Sequence, residues 1–210
     1  MTKIILDLCG GTGAWSKPYK DAGYDVRNIT LPDYDVRTYI PPNNVYGILA
    51  APPCTEFSFA RTKANKPRDL KEGMEIIRVC LNIIWSVMEI KQETKRKTLP
   101  LRFWVLENPY FGMLKWFLGK PVFVFDPYEF GDNYKKRTAL WGYFNEPKKN
   151  PIKMTQEMIN KCKTNSRPLP KFDYMKSKDI HPEFYKKFDR QTRRAITSQG
   201  FAKAFYEANK

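Results

Sequence analysis

Two side chains able to do chemistry stand at the ends of apolar runs. Ile48-Leu49-Ala50-Ala51 leads into Pro52-Pro53-Cys54-Thr55-Glu56-Phe57-Ser58, and Arg102-Phe103-Trp104-Val105-Leu106 leads into Glu107-Asn108-Pro109. Proline cannot continue a strand's hydrogen-bonded ladder, so the pattern places Cys54 on the loop just past a buried strand. Glu107 ends the second run in the same way. A thiol and a carboxylic acid together suit attack on an electron-poor ring: the thiolate adds to carbon while the acid holds or protonates a ring nitrogen and absorbs the charge. Each residue also has an ordinary reading. A free cysteine commonly serves as a small buried hydrophobe, and a strand-end acid can cap the following helix.

A third signal lies near the start. Lys3-Ile4-Ile5-Leu6-Asp7-Leu8 reads as a buried strand, and Cys9-Gly10-Gly11-Thr12-Gly13-Ala14-Trp15-Ser16 as a glycine-rich turn opening a helix that runs to about Ala22. Glycines let the backbone pass close to a ligand, and a helix start presents unpaired N–H groups, so a nucleotide-like cofactor suits this loop. Tight strand-to-helix turns also need glycine for structural reasons alone. Cys9 fits packing beneath a cofactor better than chemistry, and Trp15 and Trp104 fit a core.

Bringing these three signals together requires a parallel sheet. Asp25–Ile29 and Val45–Ala51 read as further strands, and Leu70–Lys91 as a helix whose Ile76, Ile77, Cys80, Ile83, Ile84, Val87 and Met88 recur at spacings of three and four. A polar, basic loop from Thr62 to Arg68 precedes that helix, and a charged linker from Gln92 to Lys97 follows it. A short helix over Gly112–Leu118 and strands over Val122–Phe125 and Thr138–Gly142 complete the alternation. This order implies an α/β domain with a parallel or mixed sheet covered on both faces, and ligands in such sheets bind beyond the strands' carboxyl ends.

The chain is long enough for one domain with a modest appendage: 210 residues. A formal charge of +15 favours a nucleic-acid partner, because phosphate backbones attract clustered Lys and Arg. Arg61, Lys63 and Lys66, just past Cys54, are candidates for phosphate contact or for an exposed charged loop. The four cysteines, Cys9, Cys54, Cys80 and Cys162, lack zinc or disulfide spacing and read as reduced thiols. His181, the single histidine, reads as a surface residue and leaves little material for His-based metal chemistry. No stretch is apolar for long enough to span a bilayer, and Asp7 interrupts the start too early for a signal peptide, so no membrane partner and a cytoplasmic location are expected.

From Phe144 to Lys187 prolines and lysines accumulate and apolar periodicity fades, apart from a possible short helix over Gln156–Cys162. This reads as a loop-rich basic insert. Gly200–Ala208 has helical spacing and is expected to return to the main body.

The segments Asp7-Leu8-Cys9-Gly10-Gly11-Thr12-Gly13, Pro52-Pro53-Cys54-Thr55-Glu56-Phe57-Ser58, Glu107-Asn108-Pro109 and Lys135-Lys136-Arg137 occur in the order and approximate spacing of one family. Together the chain resembles the DNA cytosine-5 methyltransferases. The resemblance implies a Rossmann-like S-adenosylmethionine-dependent methyltransferase fold over residues 1–142, mostly parallel, with helices on both faces. A reduced target-recognition-like insert would occupy 143–190, and a C-terminal helix over 191–210 would pack back. A monomer is favoured.

By the same resemblance, Cys54 is the nucleophile that adds to carbon 6 of cytosine, and Glu107 contacts ring nitrogen 3 and the exocyclic amine. Arg137 helps hold the base and the cysteine loop. Asp7, Cys9, Gly11, Gly13 and Pro52 belong to the S-adenosylmethionine pocket, and Asp35 matches the acid that contacts adenine. The implied reaction is DNA methylation at carbon 5. RNA, a free nucleotide, or a catalytically silent nucleic-acid binder of the same fold are the alternatives. The chain departs from the family where Thr30 replaces the ribose-binding acid, where Asn133 and Lys135 stand in the arginine motif, where Thr197-Ser198 replaces Gly-Asn, and in the short insert.

Overall fold

The computed structural model describes residues 2–61, 65–93, 101–153, 155–156, 186–188 and 190–210. Its strands are β1 (Ile4–Leu8), β2 (Asp25–Ile29), β3 (Val45–Ala50), β4 (Phe103–Pro109), β5 (Phe123–Phe125) and β6 (Thr138–Tyr143). They form one six-stranded sheet in the order β2-β1-β3-β4-β6-β5. The first four are mutually parallel, and β6 runs antiparallel to both β4 and β5, so the sheet is mixed. The helices are α1 (Lys17–Asp21), α2 (Leu70–Glu93), α3 (Leu114–Leu118), α4 (Arg190–Ala195) and α5 (Gln199–Asn209), with a 3₁₀ turn at Pro127–Phe130.

Burial on both faces explains why the central strands read as continuous apolar runs rather than alternating ones. On one face Ile4, Leu6, Leu8, Ile48 and Leu106 pack with Ile77, Cys80, Ile84 and Val87 of α2, whose spacing forms one helical stripe. On the other, Ile5, Leu49 and Val105 meet Trp15 and Tyr19 together with Phe201 and Phe205 of α5. This second layer is unusually aromatic. Phe125 and Phe201 stack at 3.9 Å between centroids, and Trp15 meets Phe205 edge-on at 5.5 Å. The C-terminal helix therefore completes the core, as its spacing predicts.

Most expected elements lie where the periodicity puts them, with α2 reaching two residues past Lys91 and α1 shorter than expected. One difference bears on the site. Glu107-Asn108-Pro109 does not follow β4 but forms its last three residues. The β3 ladder stops at the Ala50–Leu106 pair, whereas β6 continues, pairing Glu107 with Leu140, Asn108 with Ala139 and Pro109 with Thr138. Pro109 is tolerated because β4 has only one neighbour at that level.

One element is new, the 3₁₀ turn, and the C-terminal helix expected over 191–210 is divided into α4 and α5. The beginning of the basic insert is stitched to the body. Asn145 and Asn209 exchange hydrogen bonds of 2.8 and 3.0 Å, and the amides of Asn150 and Ile152 donate to the carbonyls of Glu129 and Tyr128 at 2.9 Å. His181, Lys63, nearly all of the possible helix over 156–162 and half of the insert's lysines lie outside the described residues. Among the described residues, no helix is long and apolar enough to cross a membrane.

Candidate active site

Cys54 is placed by a loop with an unusual number of anchors. The Ala51 amide donates to the Leu8 carbonyl at 2.9 Å, tying the end of β3 to β1. Beyond the two prolines, the Cys54 carbonyl accepts from the amides of Phe57 at 3.0 Å and Ser58 at 2.8 Å, which closes a turn around the thiol. Phe57 is fully buried and acts as the plug of that turn. The Arg68 guanidinium then clamps it from outside, donating to the carbonyls of Glu56 and Ser58 at 2.8 Å each. A guanidinium suits this task because its planar fork presents several donors at once.

The same turn is bound to β4. Asn108 is almost wholly buried, and its side-chain amide donates to the Pro52 carbonyl at 3.1 Å. An isolated bridge pairs Ser58 with Gly112, and the Phe59 amide donates to the Phe111 carbonyl at 3.1 Å. Continuation of β4 along β6 thus brings Glu107 beside the Cys54 loop, although the two residues are far apart in sequence.

The charge of Glu107 acts on Cys54. Burial pushes the Cys54 thiol above its ordinary range, and the negative charge of Glu107 pushes it the same way, while Lys136 and Arg194 oppose both. Burial likewise raises the Glu107 carboxyl, with Lys136 opposing. Among the described residues no hydrogen bond to the Glu107 carboxyl contributes to this shift. A carboxyl in that setting holds its proton more readily than usual, which suits a proton donor. The thiol, by contrast, is held back from ionising in the free protein.

Arg137 lies next to Lys136 in sequence but is engaged elsewhere. Its guanidinium is 3.6 Å from Asp126 and 5.4 Å from the centre of the Tyr110 ring, and its side chain is about half exposed, at 49%. The cations acting on Cys54 are Lys136 and, from the far end of the chain, Arg194 on α4. Arg194 was not singled out in the sequence, where it is one of several cations on the C-terminal helix expected over 191–210. Asn108 was legible as part of the Glu-Asn-Pro segment, but its bond to Pro52 was not.

The glycine loop sits at the carboxyl end of β1. Gly10 has no room for a side chain: a Cβ there would lie 2.3 Å from Asp7 Cγ and 2.5 Å from both Asp7 Oδ1 and Asn28 Oδ1. Gly11 and Gly13 have φ of 54° and 69°, in the region that favours glycine, and the space above Gly11 is open. Beneath the loop Asp7 is fully buried and accepts from Ser16 Oγ at 2.5 Å, but its Oδ1 has no partner, nor has Asn28 Oδ1. Burial raises the Asp7 carboxyl to about 6, against the Ser16 hydrogen bond.

Cys9 is partly buried against the α2 face of the core. Pro52 is buried, its carbonyl taken by Asn108. Asp35 forms a bidentate pair with Arg37, whose Nε lies 2.9 Å from both carboxylate oxygens. A cleft of about 910 Å³ opens beside the loop, lined in part by Gly13, Ser16, Asn28, Thr197, Lys203 and Tyr206. Cys54 and Glu107 do not line it. The structure thus joins Cys54 with Glu107 and gathers Asp7, Gly11 and Gly13 under one loop. Asp35 and Arg137 are each turned to a local charge partner. Among known proteins, no family model and no curated protein matches this chain.

Proposed function

We propose that this protein is an S-adenosylmethionine-dependent methyltransferase acting on carbon 5 of cytosine in DNA through a covalent Cys54 adduct. The observation that carries the reading is the meeting of a loop-borne thiol with a partly enclosed carboxyl, both at the end of the sheet that holds the glycine loop. The net charge of +15 supports a polyanionic substrate.

In this reading Cys54 adds to carbon 6 of the ring and Glu107, protonated, donates to nitrogen 3. The electron density then develops at carbon 5. Lys136 and Arg194 oppose the rise in the pKa of the thiol and so favour its ionised form. Asn108 keeps the cysteine loop in register with β4 and acts as a positioning residue.

The glycine loop fits the cofactor, since its bare backbone over Gly11 leaves open space and buried Asp7 offers an unpartnered oxygen beside it. S-adenosylmethionine, when bound, supplies the methyl group. Asp7, Gly11 and Gly13 would hold it, the loop's amides offering donors to its carboxylate and the Asp7 carboxylate favouring its positive charge. After transfer, loss of the carbon 5 proton expels Cys54 and restores the thiol.

The test is covalent trapping. With S-adenosylmethionine present, a 5-fluorocytosine oligonucleotide should form a stable protein–DNA adduct, because fluorine cannot leave as a proton does. Cys54→Ser should abolish the adduct and methyl transfer together. A wild-type protein that neither traps this substrate nor methylates duplex DNA, single-stranded DNA, RNA or nucleotides would sink the enzymatic reading. The elevated Cys54 thiol favours a second reading, a silent DNA-binding protein, which predicts full binding without trapping.

A further inference from the structure

The loops that carry the proposed chemistry also display an aromatic surface. Phe59, Phe111 and Trp116 are 45%, 60% and 66% exposed, and clustered exposed rings of this size mark an interaction site. Their arrangement is built into the fold. The Phe59 amide donates to the Phe111 carbonyl, Ser58 bridges Gly112, and the Phe59 and Trp116 rings are 5.8 Å apart. Below them the buried Phe57 ring meets Phe117 at 6.2 Å, and the Phe57 carbonyl accepts from the Met113 amide at 3.0 Å. The rings therefore project from a braced ribbon.

The surroundings are cationic. Tyr110 meets Phe111 edge-on at 5.4 Å, while Lys115 Nζ and Arg137 Cζ lie 4.6 and 5.4 Å from the centre of the Tyr110 ring. Glu56, the acid on the cysteine turn, is neutralised by Arg61 at 3.1 Å. Exposed ring faces interleaved with cations match single-stranded nucleic acid, in which bases stack and phosphates track positive charge. A duplex keeps its base faces inside the stack. An acidic protein would use the cations and leave the ring faces without a role.

We propose that Phe59, Phe111 and Trp116 form a stacking platform for unpaired bases of single-stranded DNA, flanking the base held at Cys54 and Glu107. This rests on the reading of that site as a nucleobase site. Binding to a single strand would remove the need to extract the target from a duplex.

The test uses the full chain carrying Cys54→Ala, so that binding is read without turnover. Three ligands are compared at one salt concentration: a short oligothymidylate, an abasic strand of equal length and charge, and a duplex of that length. The oligothymidylate should bind roughly 5- to 150-fold more tightly than the abasic strand for each stacked base, the ratio that follows from about 1–3 kcal/mol of stacking. Its binding should quench a component of tryptophan fluorescence that Trp116→Ala removes.

Combining Phe111→Ala with Trp116→Ala should erase the preference for bases while retaining binding of the abasic strand. If that double variant does not fold by circular dichroism, Phe59→Ser supplies the same comparison. Equal affinity for oligothymidylate and abasic strand, tighter binding of the duplex, or equal competition by polyglutamate would overturn the platform. A base preference without methyl transfer by wild-type protein would overturn the proposed reaction and leave the platform standing.

Discussion

Asp7→Asn isolates the energetic effect of a carboxylate buried under the glycine loop. Burial moves the Asp7 carboxyl from its ordinary 3.8 to about 6 in the folded protein. A raised pKa means that the folded state prefers the proton, so this group's stabilising contribution is present below about pH 3.8 and is lost as pH rises through about 6. The two values correspond to about 3 kcal/mol of destabilisation once Asp7 is ionised. The geometry supplies the cause. Asp7 Oδ1 and Asn28 Oδ1 are both unpartnered acceptors, each 2.5 Å from the point a Gly10 Cβ would occupy. A proton on Asp7 removes the buried charge.

Asparagine is neutral at every pH, has nearly the same shape, and can still accept from Ser16. Urea unfolding of wild type and Asp7→Asn, followed between about pH 4 and about pH 8, should give curves that meet at the acid end. They should separate by up to about 3 kcal/mol in favour of the variant above pH 6. Asp132, also raised by burial to about 6, is present in both proteins and cancels in the difference. Parallel curves across the range would refute the assignment of this linkage to Asp7. Under the proposed function the same substitution should weaken S-adenosylmethionine binding, since stability is commonly sacrificed where a ligand needs a charge.

Two further substitutions probe the cysteine loop. Lys136→Gln removes a cation that opposes the rise of both Cys54 and Glu107, so iodoacetamide should alkylate Cys54 more slowly at about pH 8. Arg194→Gln should act in the same direction, and an unchanged rate in both variants would contradict the placement of these charges. Asn108→Ala leaves the Pro52 carbonyl without its partner and should cost about 1–3 kcal/mol. The loosened loop should also raise Cys54 reactivity, and an unaltered urea midpoint together with unaltered alkylation would show that this bond does not brace the loop.

Much of the scaffold was legible because it repeats a local rule. The runs ending at Leu8, Ala50 and Leu106 are largely apolar because both faces of the sheet are covered there, and the stripe from Ile77 to Val87 has the period of a helix lying on it. Gly10 could be read as part of a turn, but its lack of space becomes visible only with Asp7 and Asn28 beneath it. The end of β4 could not be read correctly, because Pro109 looks like a stop until β6 is known to pair with it from the other direction. The 3₁₀ turn is too short to show a period.

The identities and order of Cys54, Glu107 and the glycine loop were set by local sequence, since prolines, glycines and apolar runs act on their own neighbours. That order was enough to bring them toward one sheet edge once the strands were parallel. The electrostatic partners of Cys54 were decided by tertiary structure, because charges act through space. Arg194 reaches the thiol by way of α4, whereas Arg137, adjacent in sequence to Lys136, turns to Asp126. The aromatic platform has the same origin: Phe59 and Phe111 lie on separate loops and become one surface only when their backbones pair.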